Sequence, residues 1–198
     1  MKQFVLAIGA LIILISSCKP KVNFETSNFE KEILALESIQ NKRDYLEIIF
    51  KDDQKVRDGK DSEIMLKYGK DSKEFNDYIE LQIKQDDENL NKIETYIKIY
   101  GHPKQNEVGE IAAITPWAVI HHAQGYEPRE RNFSVLYNAF LNGDLNYGQV
   151  SMLLGRMYEM KYGERFRMMG DYDSEDEINQ LIEKLNLSTQ KANVQHNL

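Results

Sequence analysis

The spacing of apolar residues predicts helices along most of the chain. Two long segments, residues 28 to about 58 and residues 74–100, carry apolar side chains at every third or fourth position, which is typical of helices that bury one face. No segment alternates apolar and polar residues with a period of two over a useful length, as a half-buried strand would. The pattern therefore predicts an all-α fold.

Three shorter amphipathic segments follow the same rule in the C-terminal half. They cover residues 130–141, residues 147 to about 160 and residues 175–185. Residues 59–72 form a polar break between the two long helices, with room for a short helical turn at residues 63–68. Together with the central segment, these elements predict an irregular bundle of roughly six helices.

The central segment, residues 108–124, is the least acidic and most apolar stretch that follows the N-terminal run. It contains the only Trp of the chain and ends in two adjacent histidines. Pro116 lacks a backbone N–H, so it is expected to bend or interrupt this helix just before Trp117. Helical spacing predicts one buried face formed by Ile111, Ile114, Ala118 and His122. His121 and His122 point about 100° apart on a helix, so they are not expected to face the same site.

The N-terminus has the pattern of a bacterial lipoprotein signal. One Lys precedes an apolar run over residues 4–15, which is shorter than the roughly 20 residues of a membrane span but suits a secretory signal peptide. Ile15-Ser16-Ser17-Cys18 resembles the lipobox, where such signals are cut before the Cys. The resemblance implies that Cys18 carries lipid, palmitate included, and anchors the chain to a membrane of the cell envelope on the extracytoplasmic side. An uncleaved N-terminal anchor with an incidental Cys is the alternative.

These features divide the chain into four parts. We expect a signal peptide over residues 1–17, a lipidated tether over residues 18–26, a single helical domain over residues 27–186 and a flexible tail over residues 187–198. Cys18 is the only Cys, so no other thiol is available for a disulfide, a nucleophile or a zinc cluster. The net charge of −7 argues against a nucleic-acid partner. No cofactor and no metal site are predicted.

Three polar residues near the end of the first helix are candidate site residues. Asp53 and Arg57 are four positions apart and Gln54 and Arg57 are three apart, so their side chains can meet on one helix face. An acidic run at residues 86–88 lies within the second long helix and is followed by Asn89. Acidic clusters usually form a solvated face, and we interpret this run in the same way.

Five short elements appear in a fixed order in the middle of the chain. They are Asp53-Gln54-Lys55-Val56-Arg57, Asn89, Gly101-His102-Pro103, Val108-Gly109 and His121-His122-Ala123. Together they resemble a bacterial family known as domain-of-unknown-function family 6624, whose pattern runs D-Q-x-x-R, Asn, G-x-P, V-G and Q-H-A. The resemblance covers about residues 53–170. It supports the all-α fold and these candidate residues, and it brings no established reaction.

The chain departs from that family pattern at three places. His121 stands where the family has Gln, and Gly155-Arg156 stands where Asp-Arg is usual. The Q-x-Y-G-T-Q end of the family is reduced to Arg167-Met168-Met169-Gly170. If these polar residues complete an active site in the family, this chain has lost or changed it.

Two functions fit these observations. In the first, the chain is a membrane-tethered binding or structural lipoprotein, in which a buried and fully hydrogen-bonded network fixes the packing of the helices. Its partners are the membrane, reached through the lipid on Cys18, and other envelope proteins or a small ligand. The network consists of Asp53, Gln54, Arg57, Asn89 and His122. His121 is a further candidate ligand-binding residue at the same helix end.

In the second function, the chain is a hydrolase- or lyase-like enzyme with a cleft between the first helix and the central helix. His122 acts as the general base, Asp53 orients it, and Arg57 holds an anionic group of the substrate. Gln54 and Asn89 position a water molecule or a carbonyl group. An open pocket around these residues favours a binding or catalytic site, whereas burial among aromatic side chains favours a scaffold.

Overall fold

The computed structural model describes residues 26–168 and 173–189, which form helices and no strands. The helices are α1 (Thr26–Leu34), α2 (Ile39–Lys55), α3 (Lys60–Tyr68), α4 (Lys73–Tyr100), α5 (Gln105–Val108), α6 (Glu110–His122), α7 (Glu127–Leu141), α8 (Tyr147–Tyr162) and α9 (Ser174–Leu185). The all-α prediction is confirmed. The predicted signal peptide, Cys18, nearly all of the tether and residues 190–198 lie outside the described residues.

Four of the predicted helices are present close to their expected positions. The second long helix is α4, and the three C-terminal segments are α7, α8 and α9. Each contributes apolar residues to a common core, which is why the apolar spacing located them. Ser72 caps the start of α4 with its side chain, and Gly101 ends the helix with a φ of 77°.

The predicted long first helix is wrong, because the chain breaks after Leu34 into two helices. α2 follows Ser38, whose hydroxyl oxygen accepts a hydrogen bond from the Asn41 N–H at 3.0 Å. On the other side of the break, the Tyr100 hydroxyl donates to the Ile33 carbonyl oxygen at 2.9 Å and so satisfies one orphan group at the end of α1. Both helices face the core, so apolar spacing continues across the break and does not reveal it.

Two further helical segments lie outside the six predicted helices, and the first of them extends the short helical turn expected at residues 63–68. The polar break contains α3, which lies between Gly59 and Gly69, two glycines of positive φ, and packs against α4. α5 is a single turn that ends at Gly109. These two segments and the break after α1 account for the difference from the roughly six helices predicted. Within residues 26–168 and 173–189, no helix is both long and apolar enough to cross a membrane.

α6 is the centre of the fold. It packs against α2, α4, α5 and α7; α8 joins the bundle through α7, and α9 packs against α8. The Trp117 indole N–H donates to the Gln149 carbonyl oxygen at 2.7 Å and ties α6 directly to α8. The core takes fully buried side chains from most of the helices: Ile33, Leu46, Ile93, Ile120, Leu136, Leu154 and Leu181.

The predicted buried face of α6 is wrong at both of its ends. Ile111 is 49% exposed, whereas Ala112 and Ala113 beside it are fully buried. At the other end, His121 is buried and His122 is only partly so. Because other helices surround α6, its apolar residues lie on nearly every side, and their spacing does not identify an inner face.

Pro116 does not interrupt α6, which runs continuously from Glu110 to His122. The Thr115 hydroxyl, just before the proline, donates to the Ile111 carbonyl oxygen at 2.8 Å and lies 3.3 Å from the Leu46 carbonyl oxygen of α2. A side chain therefore links α6 to α2 at the point where proline removes one hydrogen bond of the helix.

Leu46→Ala is expected to lower the free energy of unfolding by about 2–5 kcal/mol, because Leu46 is fully buried and its truncation leaves a cavity. Ile48→Ala, two positions along α2, is the matched control. Its side chain is 60% exposed, so we expect a change of less than about 0.5 kcal/mol. Urea unfolding of both variants measures the difference, and equal losses would contradict the packing described for α2.

Candidate functional site

The Asp53 carboxylate is the centre of the candidate site. It lies in the last turn of α2, and its side chain is only 1% exposed. The Gln54 side-chain amide donates to it at 2.7 Å, an Arg57 guanidinium nitrogen lies 3.1 Å from it, and His122 Nδ1 lies 2.9 Å from it. A buried carboxylate is costly without partners, and these three side chains replace the water that it loses. The structure thus brings four of the predicted site residues together.

His122 is held with one ring nitrogen free. Both Asp53 carboxylate oxygens lie within 3.1 Å of Nδ1. A carboxylate accepts hydrogen bonds, so Nδ1 carries the hydrogen of the neutral ring and Nε2 carries the lone pair. Nε2 makes no hydrogen bond to any residue that the structure describes, and the side chain is 23% exposed. His122 is therefore oriented as a proton acceptor on the partly exposed side of its ring.

Arg57 connects Asp53 to a second buried carboxylate, Asp86 of α4. One guanidinium nitrogen donates to the Asp53 carbonyl oxygen at 2.7 Å, and the other donates to a carboxylate oxygen of Asp86. The second oxygen of Asp86 accepts from the Gln124 side-chain amide at 3.3 Å. Both oxygens of Asp86 are therefore already used by protein donors.

The interpretation of residues 86–88 as a solvated face is wrong for Asp86, which is 3% exposed. Glu88 does lie on the outer side, where it pairs with a lysine of the next turn. Asp86 precedes Leu90 by four positions and Ile93 by seven, and both of these residues are buried. That helical register was the sequence signal that placed Asp86 on the inner side of α4.

These groups meet at an open cavity of about 440 Å³, here called the His122 cavity. Its wall includes Arg57, Gln82, Asp86, His122, Gln124 and Arg156. Asp53 is not part of the wall and lies behind it, bonded to His122 and Arg57. The pair of Asp53 and His122 thus stands at a cavity and is not sealed among aromatic side chains, as a binding or catalytic site requires.

His121 faces a second cavity of about 490 Å³, here called the His121 cavity. Its wall includes His121, Ser151, Met152, Gly155, Arg156 and Phe166. Arg156 belongs to the walls of both cavities. The two adjacent histidines therefore line different cavities, in keeping with the angle between them on the helix.

His121 is a buried and uncharged histidine at neutral pH. Its ring stacks on Trp117, with centroids 5.3 Å apart and an angle of 19° between the planes. Burial, together with repulsion by positive charges nearby such as Arg156 and Arg129, lowers the pKa of His121 to about 4. Its Nδ1 has no hydrogen-bond partner among the described residues.

Gln54 and Asn89 are not placed to contact a ligand in either cavity. Gln54 is exposed and donates to Asp53. Asn89 is fully buried, and its side-chain oxygen accepts from the Gln85 amide at 3.0 Å. Its side-chain nitrogen has no partner among the described residues, and no described hydrogen bond links it to Asp53 or His122. The predicted role of these two side chains in positioning a water molecule therefore has no support in the geometry.

Two arginines near the site were not predicted as site residues. Arg129 of α7 is fully buried and donates to the carbonyl oxygens of Gly125 and His121. Burial, together with repulsion by Arg156, lowers the pKa of Arg129 to about 10, so Arg129 stays protonated at neutral pH. Arg156 is exposed and has no ion pair with any described residue. The sequence offers no signal for Arg129, and for Arg156 its one signal is the resemblance, in which Gly155-Arg156 stands where Asp-Arg is usual.

The fold and the site define a class of protein, an all-α domain with an aspartate–histidine pair at an open cavity. Comparison of the chain with protein-family models, with curated proteins and with solved structures finds no match in any of the three. The resemblance to family 6624 therefore stays a prediction. The function has to be inferred from the geometry of the cavity.

The free energy of unfolding is expected to fall as the pH falls from about 6.5 to about 4, in part because of His121. In this window the unfolded chain protonates His121 while the folded protein keeps it neutral, so protons favour unfolding. The contribution of this one group approaches about 3 kcal/mol. This loss of stability is absent at pH values above the ordinary histidine pKa of about 6.5, and it is complete at pH values below the pKa of His121 in the folded protein, about 4.

His121→Phe keeps a ring against Trp117 and should remove this part of the pH dependence. Urea unfolding at a series of pH values measures both proteins. His102, whose pKa burial also lowers to about 4, titrates in both, so their difference isolates His121. Parallel curves for wild type and variant would show that His121 is not held neutral.

Proposed function

We propose that this protein is a lipid-anchored protein of the bacterial cell envelope whose helical domain binds a small ligand in the His122 cavity. The lipobox-like Ile15-Ser16-Ser17-Cys18, at the end of an apolar run, supports the anchor. The arrangement of polar groups at the His122 cavity supports the binding site. Envelope location and ligand binding are separate parts of this proposal and have separate tests.

The free Nε2 of His122 is the observation that carries the binding site. Asp53 holds the other ring nitrogen, so the ring cannot turn away without leaving a buried carboxylate short of a partner. In a polar network that only fixes helix packing, the polar atoms bond to one another, whereas a nitrogen left to solvent at a cavity wall is available to a ligand. Here His122 Nε2 and the Arg156 guanidinium have no protein partner among the described residues, and both belong to the cavity wall.

The same pair favours a second candidate, a hydrolase- or lyase-like enzyme. With Nδ1–H directed at Asp53, His122 Nε2 can take a proton from a water molecule or a substrate in the cavity. The Asp53 carboxylate then stabilises the imidazolium that forms. Arg57 and Arg156 on the same wall can hold an anionic group of the substrate.

Ligand binding at His122 is tested on the chain from Lys19 onward, which contains every helix and core residue described. His122→Ala removes the ring, whereas His122→Asn keeps a donor for Asp53 but has nothing in place of Nε2. We expect one or more compounds from a panel of divalent cations and envelope metabolites to raise the wild-type unfolding midpoint and to leave both variants unshifted. Only binding to the folded state raises this midpoint.

The two variants separate a site from a scaffold. If no compound shifts the wild type, and Asn restores a midpoint that Ala lowers, then His122 is a structural donor to Asp53 and the binding proposal fails. If a compound both binds and is converted, the enzyme candidate gains. Conversion should then be lost in both His122 variants and reduced in Asp53→Asn, whose amide cannot stabilise the imidazolium as a carboxylate does.

Cys18→Ser is expected to abolish lipid attachment, because serine lacks the thiol that carries the lipid. Ser17→Ala keeps a small residue before the Cys and is the matched control. Metabolic labelling with a palmitate analogue, followed by separation of membranes from soluble material, measures both variants. We expect wild type and Ser17→Ala to be labelled and membrane-bound and Cys18→Ser to be unlabelled. An unlabelled wild type that remains in the membrane would support the uncleaved anchor instead.

A further inference from the structure

Arg156 is the arginine that both cavities share and that lacks an acidic partner. Arg57 pairs with Asp53 and Asp86, and Arg165, on the wall of the His121 cavity, lies 3.8 Å from Glu159. Arg156 forms no ion pair with any residue in the described part of the chain. Its planar guanidinium therefore offers a set of N–H donors that no protein carboxylate uses.

Asp86 is the one carboxylate on the wall of the His122 cavity, and it already has donors of its own. The two oxygens of Asp86 accept from Arg57 and Gln124. In the His121 cavity, one Glu177 oxygen accepts from the hydroxyl groups of Tyr147 and Ser151. On the wall of the His122 cavity, the unused donors of Arg156 therefore lie beside a carboxylate whose two oxygens are both used. A ligand that complements such a wall brings acceptor oxygens and negative charge.

The His121 cavity has an apolar side that extends beyond Arg156. Met152, Gly155 and Phe166 belong to its wall. A Cβ atom added at Gly155 would meet no atom within 4 Å, so the space above this glycine is open. The glycine is inside α8, where it costs helix stability relative to alanine, and its φ is not positive. The backbone conformation therefore does not require a glycine at this position. What the glycine provides is the open space beside Arg156.

We propose that the ligand is an organic anion, with a carboxylate or phosphate group at Arg156 and a short apolar arm in the His121 cavity above Gly155. This inference rests on the proposed function of the His122 cavity as a binding site and names the class of ligand. The anionic group lies at Arg156 on the side of the His122 cavity, and the arm passes to the other side of the same arginine.

The proposal is tested by titration calorimetry on the chain from Lys19 onward. The probes are hexanoate and hexyl phosphate, which carry both an oxyanion and an arm, and acetate and inorganic phosphate, which lack the arm. Hexylammonium has the arm with the opposite charge. We expect one of the two armed anions to bind at least about tenfold more tightly than its short counterpart, because burying methylene groups adds affinity. Whichever armed anion binds identifies a carboxylate or a phosphate head group. Hexylammonium should not bind.

Three variants locate the site. Arg156→Gln should weaken binding of the armed anion by at least about tenfold, since the substitution removes the positive charge and the planar set of donors. Gly155→Leu keeps Arg156 but fills the open space. It should therefore weaken binding of the armed anion and leave binding of the short anion unchanged. Arg131→Gln removes an arginine that pairs with Glu94 elsewhere on the surface, and it should bind like the wild type. Unchanged unfolding midpoints of the three free proteins show that each is folded.

Two results would overturn the inference. If wild type and Arg156→Gln bind the armed anion equally well, Arg156 is not the binding site of the anion. If wild type binds hexylammonium as tightly as the armed anion, the site does not select negative charge. If no anion binds while another compound still raises the midpoint of the wild type and not of His122→Ala, the class of ligand is wrong and the binding function stands. If neither experiment finds a ligand, the inference and the proposed function fail together.

Discussion

The fold and the site both depend on one buried charge, the carboxylate of Asp53. Its position at the end of α2 would be costly without the donors that surround it. Those donors come from α6 through His122 and from the segment after α2 through Arg57, which continues to Asp86 on α4. Three helices are therefore held in one arrangement by a requirement for hydrogen bonds. The cavity is the space that remains beside this arrangement.

Sequence spacing located those helices that bury a single face and failed where that condition does not hold. α4 and the helices after α6 each direct one apolar side to the core, and each was predicted close to its true position. α6 is enclosed on nearly all sides, so its pattern gave the wrong face. The break after α1 was missed because α1 and α2 share the same core, and only the cap at Ser38 marked the new start.

Helical spacing predicts the site only where its residues are close in sequence. Asp53, Gln54 and Arg57 follow from helical spacing, and the structure brings them together. The contact of Asp53 with His122 joins residues 69 positions apart, so it was expected from the chemistry of the two side chains and not from spacing. Asp86 belongs to an acidic run whose composition predicts a solvent-exposed side chain, whereas its helical register predicts a buried one, and the structure shows it buried. The significance of Arg129 comes from its surroundings in three dimensions, and so does the position of Arg156 between two cavities.

The position of Arg156 between two cavities makes them dependent on each other. An arginine side chain has several rotatable bonds, and an exposed one can lean to either side without moving its helix. Space gained on one side of the guanidinium is lost on the other. Two small molecules, each sized for one cavity, would therefore compete for the same side chain although they never touch. Occupation of one cavity would weaken the other, which is negative coupling produced by a single rotamer change.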